Sequence, residues 1–263
     1  MSVTLQKALR ILRTQGVEAL VKRGGNEITG ALSALITLRK QPQFDNPNDL
    51  LDFANDCFGG LIAPFQVRNE ILPLLPVVRA LEPKTILEIG TANGGTLFLW
   101  TRTATSDAHL ISLDLPGGKF GDGYAIWRIP IYRSFAHNKQ RIDLLRGNSH
   151  STLTRQKIVK LLQGKQVDFL FIDAGHTYND VRQDFEMYCN LVAPGGLIAF
   201  HDIAEHPKAS GCEVHRFWSE VKSQYESYEF IADRGQGWAG IGCIKWNPVN
   251  QITSTVSAQI VSA

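Results

Sequence analysis

Two short polar segments, each directly after an apolar run, carry the residues best suited to chemistry. Asp173-Ala-Gly-His176 follows the apolar run 167–172, and His201-Asp202 follows the run 197–200. Carboxylates can bind a hard cation, and an imidazole can remove a proton near neutral pH. Such groups, when assembled at one place, could orient a hydroxyl group and deprotonate it.

A glycine-rich turn follows another apolar run, residues 85–89, which is long enough for one buried parallel strand. The turn begins at Gly90 and allows close approach of the backbone to a ligand. The next predicted strand, 109–113, leads into Asp114, where a carboxylate can bind the hydroxyls of a ribose. We therefore predict a nucleotide-like cofactor here, with a ligand-free loop as the alternative.

A doubly wound, mostly parallel sheet would bring these residues together, because ligands of such sheets bind beyond the carboxyl ends of the strands. Five predicted strands alternate with helical stretches, as that fold requires. They occupy residues 85–89, 109–113, 141–145, 167–172 and 197–200. Residues 228–231 and 240–246 are predicted to form a C-terminal antiparallel hairpin. Pro73 and Pro76 are expected to break the helical stretch 67–81 into pieces.

The composition is that of an ordinary α/β protein, with 263 residues, 44% hydrophobic and 20% charged. A net charge of +2 gives no reason to expect a nucleic-acid partner. The four cysteines form no CxxC pair, which favours a reduced, cytoplasmic setting and argues against zinc bound through thiolates. No signal peptide is evident in residues 1–20.

The first forty residues differ from the rest, with seven basic residues against two acidic ones. One interpretation is a basic amphipathic segment that makes peripheral contact with a membrane. The other is a pair of helices that pack on the main domain or across a dimer. We predict an N-terminal basic helical appendage at 1–48, a main domain at 49–248 and a flexible tail at 249–263, in a homo-oligomer.

Several residues outside the strand ends have two interpretations each. The glycine-rich segment after Asp114 is expected to form a lid in which Tyr124 and Trp127 contact an acceptor, or else to be disordered. Gln66, before the first strand, is either a site contact or the start of a helix. Four further histidines are expected to be structural or exposed at the surface. These are His109, His137, His206 and His215.

The glycine turn has the spacing Glu-x-Gly-x-x-x-Gly-Gly, unlike the Gly-x-Gly-x-x-Gly of dinucleotide enzymes. This spacing resembles the first motif of class I S-adenosylmethionine-dependent methyltransferases. The sequences Phe-Ile-Asp-Ala-Gly-His-Thr-Tyr and Leu-Ile-Ala-Phe-His-Asp resemble a branch that includes sugar and macrolide O-methyltransferases and cephalosporin hydroxylase-like proteins. The resemblance covers about residues 66–246, leaves the first forty residues outside it and implies a Rossmann-like methyltransferase fold with a seven-stranded sheet.

The resemblance implies a set of cofactor-binding residues for S-adenosylmethionine. The glycine turn would hold the methionine part, the acid after the second strand would bind both ribose hydroxyls, and residues after the third strand would flank the adenine. The implied residues are Glu88, Gly90, Thr91, Asn93, Gly94, Thr96, Asp114, Leu115, Asn148, Ser149 and Asp173.

The same resemblance implies a divalent metal, usually Mg²⁺, bound by Asp173, His201 and Asp202. Such an ion would orient the acceptor and lower the pKa of its hydroxyl group, and His176 would act as the base. Asp173 and His201 complete the predicted catalytic set. His201 replaces the usual carboxylate, so a softer metal, a role for His201 as the base or as a hydrogen-bonded neighbour, and a metal-free polar pocket all stay open.

These predictions favour an O-methyltransferase that acts on a hydroxyl of a small molecule, either a sugar or a glycosylated natural product. Two alternatives remain open. One is an NAD-dependent oxidoreductase, which the glycine spacing disfavours. The other is a catalytically silent scaffold that binds the cofactor and uses its N-terminal helices for interaction.

Overall fold

The computed structural model describes residues 30, 33–38, 40, 42–44, 46–116 and 123–248 of the chain. Seven strands form one sheet in the order β3-β2-β1-β4-β5-β7-β6. The strands are β1 (Thr85–Ile89), β2 (His109–Asp114), β3 (Arg141–Arg146), β4 (Val167–Ile172), β5 (Val192–His201), β6 (Ser227–Phe230) and β7 (Ile241–Lys245).

Helices cover both faces of this sheet. The α-helices that follow residues 33–38 are α1 (Pro47–Asp56), α2 (Arg68–Ala80), α3 (Gly95–Thr103), α4 (Ile129–Arg133), α5 (Thr152–Leu162), α6 (Tyr178–Tyr188) and α7 (Val214–Val221). Short 3-10 segments lie at Cys57–Gly60, Ile126–Arg128, Cys189–Leu191 and Lys208–Ser210.

The sheet confirms the predicted doubly wound architecture. β1 to β5 pair in parallel, whereas β7 lies antiparallel between β5 and β6 and so closes the sheet with the predicted C-terminal hairpin. The strand order changes direction between β1 and β4, and open α/β sheets bind their ligands at such a switch point. This topology is that of the Rossmann-like methyltransferase fold.

Alternate residues of the buried strands belong to two separate hydrophobic cores. Ile86 belongs to the core on the α3 side, where Trp100 packs edge-on against Phe169 at a ring-centroid distance of 4.9 Å. Its neighbour Leu87 belongs to the core on the opposite face, where Phe200 packs against α7. Both faces of the central strands are therefore buried, as expected for a parallel sheet between helical layers.

The prediction that Pro73 and Pro76 break the helix was wrong, since both lie inside one helix, α2. An interior proline costs about 3 kcal/mol because it lacks an N–H donor and crowds the preceding turn. Full burial of a large aliphatic side chain contributes about 1.5–3 kcal/mol, so four such side chains on α2 contribute about 6–12 kcal/mol and offset about 6 kcal/mol for the two prolines. They are Ile71, Leu74, Leu75 and Val78.

Only a small part of the predicted N-terminal appendage belongs to the described residues. Residues 33–38 are helical, and Ala34 and Leu38 are buried in the same core as Leu50 and Leu51. Residues 1–29 and 249–263, with most of the appendage and the predicted tail, lie outside the described residues. The domain boundaries thus stay predictions. Within the described ranges, no helix combines the length and apolarity needed to cross a membrane.

Candidate active site

The glycine turn after β1 lies directly against the end of β4. Gly90 has a φ of +96°, and a Cβ atom at this position would lie 1.9 Å from the carbonyl oxygen of Asp173. Only glycine tolerates both the left-handed backbone and this close approach. Because Gly90 has no side chain, the backbone of the turn can pack directly against Asp173.

Asp114, at the end of β2, binds the backbone of the same turn. Its Oδ2 accepts hydrogen bonds from the N–H groups of Thr91, at 3.1 Å, and Ala92, at 2.8 Å, while Oδ1 accepts one from Leu115 at 2.7 Å. Burial raises the pKa of Asp114, although these three donors favour its charged form. The carboxylate thus stabilises the turn and faces the adjacent cavity.

A cavity of about 580 Å³ opens beyond the carboxyl ends of β1 to β5. Its volume lies in the range of small-molecule and cofactor sites. Nine residues predicted from the sequence line this cavity. They are Gly90, Asp114, Leu115, Asn148, Ser149, Asp173, His176, His201 and Asp202.

The other predicted cofactor residues lie outside the main cavity. Thr91, Asn93 and Thr96 line a small adjoining recess. Gly94 has a φ of +81°, and a Cβ atom there would lie 2.5 Å from the ring of Tyr132. Neither Gly94 nor Glu88 contributes to the lining of the cavity or the recess.

Glu88 is a buried acid within the core of the sheet. Its Oε1 accepts a hydrogen bond of 3.0 Å from Nε1 of Trp100. Burial raises the pKa of Glu88 to about 8, so the side chain is mostly protonated at neutral pH. The structure thus places Glu88 between β1 and α3, and its predicted cofactor role gains no geometric support.

Four side chains converge where β4 and β5 end. Nδ1 of His201 lies 3.2 Å from Oδ1 of Asp173 and 3.4 Å from Oδ1 of Asp202. Nε2 of His176 lies 2.9 Å from the other Asp202 oxygen, Oδ2. All four residues line the cavity that the glycine turn and Asp114 also line. The geometry therefore joins a candidate cofactor site to a group of acids and histidines.

A comparison with protein families shows what this region is similar to. Residues 87–203 match the family model described as "Methyltransferase domain". Residues 87–203 are thus similar to a methyltransferase domain. The match begins in β1, includes the glycine turn and ends just after His201 and Asp202, so it contains both halves of the candidate site.

A curated relative is similar in sequence to part of this chain. It is the uncharacterized protein y4gI of Sinorhizobium fredii, with 28% identity over 169 residues. The alignment covers 61% of this chain but 17% of that protein. The chain therefore corresponds to a minor part of the length of this relative.

Solved structures share the fold of this chain at low sequence identity. A candidate O-methyltransferase from Klebsiella pneumoniae has a TM-score of 0.52 and 21% identity, over 78% of this chain and 91% of that one. A candidate caffeoyl-CoA O-methyltransferase from Staphylococcus aureus has a TM-score of 0.51 and 18% identity, over 81% and 97%. The O-methyltransferase TomG from Streptomyces achromogenes, solved with SAM, has a TM-score of 0.50 and 16% identity, over 78% and 92%.

Electrostatics at the candidate site favour a charged histidine–carboxylate cluster. Burial disfavours the charged forms, but the carboxylates of Asp173 and Asp202 raise the pKa of His201 well above its ordinary value. For Asp202, the surrounding histidines more than offset the effect of burial and hold its pKa well below its usual range. Burial also opposes the protonation of His176. The hydrogen bond between His176 and Asp202 favours protonation, and the net effect raises the pKa of His176 above its ordinary value.

The ligand atoms of Asp173, His201 and Asp202 lie within 4.8 Å of one another, so these residues fit a divalent metal ion. Two carboxylates with one imidazole suit Mn²⁺, Fe²⁺ or Zn²⁺ better than Mg²⁺, which prefers oxygen ligands. The donor set thus supports a divalent ion in general and gives no specific support for Mg²⁺.

Gln66 both begins a helix and contacts the site. It stands directly before the N-cap residue of α2, Val67, and its Nε2 donates a hydrogen bond of 2.7 Å to Oδ2 of Asp173. The two interpretations of this residue are therefore compatible.

Phe65 and Trp238 line the mouth of the cavity and are 61% and 49% exposed. Glu70 holds the loop of Trp238 in place, because its carboxylate accepts hydrogen bonds from the backbone N–H groups of Ala232 and Gly240. The sequence analysis did not predict Phe65 as a site residue. Its position next to Gln66 was the one feature of the sequence that could have indicated this role.

The structure bears on two predictions about aromatic and histidine residues. Tyr124 is buried against Tyr132, with ring centroids 5.0 Å apart, and neither Tyr124 nor Trp127 lines the cavity. His206 belongs to the site cluster, because the segment after β5 brings its Nε2 to 3.4 Å from Oδ1 of Asp202. Residues 117–122 of the predicted lid lie outside the described residues.

Proposed function

We propose that this protein is an S-adenosylmethionine-dependent O-methyltransferase that acts on a hydroxyl of a small molecule. The observation that carries the proposal is the shared cavity, which joins the glycine turn and Asp114 to the acid and histidine cluster. A donor site and a proton-abstracting site must meet in this way, because the methyl group moves directly between two bound molecules. The O-methyltransferases that share the fold support the same activity.

The donor would lie along the ends of β1, β2 and β3. The turn at Gly90 would contact its methionine part, and Asn148 and Ser149 would lie beside its adenine. Asp114 would bind the ribose hydroxyls. The carboxylate oxygens of Asp114 already accept three backbone hydrogen bonds, but each oxygen has two lone pairs, so capacity for a ribose hydroxyl remains.

His176 would act as the general base. Its Nε2 contact with Asp202 assigns the ring proton to Nε2, which makes Nδ1 the basic nitrogen of the neutral ring. As Nδ1 takes the hydroxyl proton, the acceptor oxygen bonds to the methyl carbon and the carbon–sulfur bond breaks. The products are the methyl ether and S-adenosylhomocysteine, and the proton remains on His176.

A divalent ion bound by Asp173, His201 and Asp202 would supply Lewis-acid activation of the acceptor hydroxyl. Gln66 would position Asp173 through its 2.7 Å hydrogen bond. Phe65 and Trp238 would contact an apolar face of the acceptor at the mouth of the cavity. A sugar or a glycosylated natural product has both a hydroxyl-rich edge and such a face, which supports this acceptor class.

Calorimetric titration with S-adenosylhomocysteine tests the donor site. We expect binding in the micromolar range, weakened about 10–100-fold in Asp114→Asn, since a hydrogen bond to a charged group contributes about 1.5–3 kcal/mol. Asp107→Asn, at an exposed position, is the matched control. Binding of NAD without S-adenosylhomocysteine would support the oxidoreductase instead.

Methyl transfer from labelled S-adenosylmethionine to a panel of sugars and glycosides tests the reaction. Donor binding without transfer to any acceptor would favour the silent scaffold.

A further inference from the structure

The segment between β5 and α7 carries a second group of metal-ligating side chains. It brings His206 and Cys212 next to Asp202, and the ligand atoms of these three residues lie within 4.8 Å of one another. His206 and Cys212 have no part in the mechanism above.

Both side chains are held away from solvent. Cys212 is 8% exposed, and the side chain of His206 is 10% exposed. Nε2 of His206 is buried and lies 3.4 Å from Oδ1 of Asp202. Within the described part of the chain, this contact is not a well-aligned hydrogen bond. The contact of this buried nitrogen with Asp202 is long, and coordination of a metal ion would give the nitrogen a closer partner.

Backbone hydrogen bonds fix this segment at both ends. Near its start, the N–H of Ala204 donates to the carbonyl of Ala239 over 2.8 Å. At its end, the N–H of Glu213 donates to the carbonyl of His176 over 2.7 Å. His206 and Cys212 therefore approach Asp202 on a segment that is anchored to two other parts of the site.

We propose that Asp202, His206 and Cys212 bind a transition-metal ion of the Zn²⁺ class, separately from any ion at Asp173. One thiolate, one imidazole and one carboxylate are ligands that zinc accepts and that magnesium does not favour. Ligand atoms around tetrahedral zinc lie roughly 3.3–3.8 Å apart, so closure from 4.8 Å needs movements of about 1 Å. The absence of a CxxC pair does not oppose this site, because it uses a single thiolate.

The bound ion would act on the candidate active site through Asp202. The carboxylate of Asp202 also contacts Nε2 of His176 at 2.9 Å. An ion on Asp202, His206 and Cys212 would hold the carboxylate in position and so orient the His176 ring. This positioning role rests on the proposed function, whereas the metal site itself does not.

Cobalt titration of the full chain, after removal of metals with a chelator, tests the site directly. Co²⁺ replaces Zn²⁺ in such sites, and a thiolate ligand produces a near-ultraviolet charge-transfer band. We expect one equivalent of Co²⁺ to produce this band and Zn²⁺ to abolish it by displacement. Cys212→Ser should lose the band, and Cys57→Ser, at a partly buried cysteine elsewhere, should keep it. A wild-type protein without the band, or a band that persists in Cys212→Ser, would overturn the proposal.

Two further variants keep the test decisive if Cys212→Ser does not fold. His206→Gln should weaken Co²⁺ binding about tenfold or more and retain the band at saturation. Asp173→Asn should change this affinity less than about threefold, because Asp173 belongs to the other ligand group. An equal loss in both variants would mean one shared site and would refute a separate ion. Calorimetry with S-adenosylhomocysteine is a separate measurement, so failure of the metal site and failure of the methyltransferase proposal are distinguishable.

Discussion

Nε2 of Gln66 donates a hydrogen bond to Oδ2 of Asp173 over 2.7 Å, although 107 positions separate the two residues in the sequence. This bond connects the segment before α2 to the end of β4. It engages the carboxylate that also contacts His201. Gln66 therefore sets the orientation of Asp173 from outside the cluster of acids and histidines.

Replacement of Gln66 should lower turnover without removing donor binding. Loss of a residue that orients a metal-binding carboxylate typically costs about 10–100-fold in metal affinity or activity, and we expect this range for Gln66→Ala. Gln66→Glu should be more severe, because it places a like charge beside Asp173 at nearly unchanged volume. Initial rates of methyl transfer measure the effect, with the exposed Gln183→Ala as the control. Equal rates in wild type and Gln66→Glu would contradict this role.

His176→Ala should lower turnover by about 10²–10⁴-fold, which is the usual contribution of a general base. Binding of S-adenosylhomocysteine should change less than about threefold, because the acids and histidines lie beyond the donor turn. His109→Gln is a suitable control, because His109 begins β2 and so lies at the amino ends of the strands, away from the site. Its side chain contacts Asp143. Single-turnover rates at several pH values measure the loss. An unchanged rate would remove His176 from the mechanism.

Glu88 should make stability dependent on pH. Its folded pKa of about 8 lies above the ordinary value of 4.5, so native Glu88 retains a proton that the unfolded chain has lost. Its stabilising contribution is complete below pH 4.5 and is lost as the pH rises toward 8. Relative to wild type, Glu88→Gln should gain up to about 1.4 kcal/mol in free energy of unfolding per pH unit across this window.

Urea denaturation of wild type and Glu88→Gln between pH 5 and pH 9 measures this difference. Trp100 can still donate to the amide oxygen of the glutamine, so the variant should fold. A constant difference at all pH values would show that Glu88 is ionised in the native protein.

Glu70→Gln should disturb the loop that carries Trp238. Oε1 of Glu70 accepts from Ala232 and Gln236, and Oε2 accepts from Gly240, so an amide group cannot satisfy all three donors. We expect a loss of about 1–3 kcal/mol in free energy of unfolding. The acceptor KM should rise more than kcat falls, because Trp238 lines the mouth of the cavity.

Thermal or urea unfolding and acceptor kinetics test the two effects on Glu70→Gln. Glu82→Gln, at an exposed position, is the control. A stable variant with normal kinetics would show that the loop does not depend on Glu70.

The sequence by itself determined the parallel core of the sheet and the position of its site. Apolar runs that alternate with helical stretches predict parallel strands, and the carboxyl ends of such strands meet at one edge. For this reason Asp114, Asp173, His201 and Asp202 line one cavity, as predicted from their places after the strands. The hairpin followed from the same pattern of short apolar runs.

Only the tertiary structure decided where side chains on doubly buried strands and long loops lie. Glu88 lies on the same side of β1 as Ile86 and accepts a hydrogen bond from Trp100. Alternation of polar and apolar residues cannot reveal which face a side chain takes when both faces of the strand are buried. His206 and Cys212 reach Asp202 because long-range backbone hydrogen bonds set the path of their segment. Such paths depend on contacts between distant parts of the chain, and local sequence patterns do not specify them.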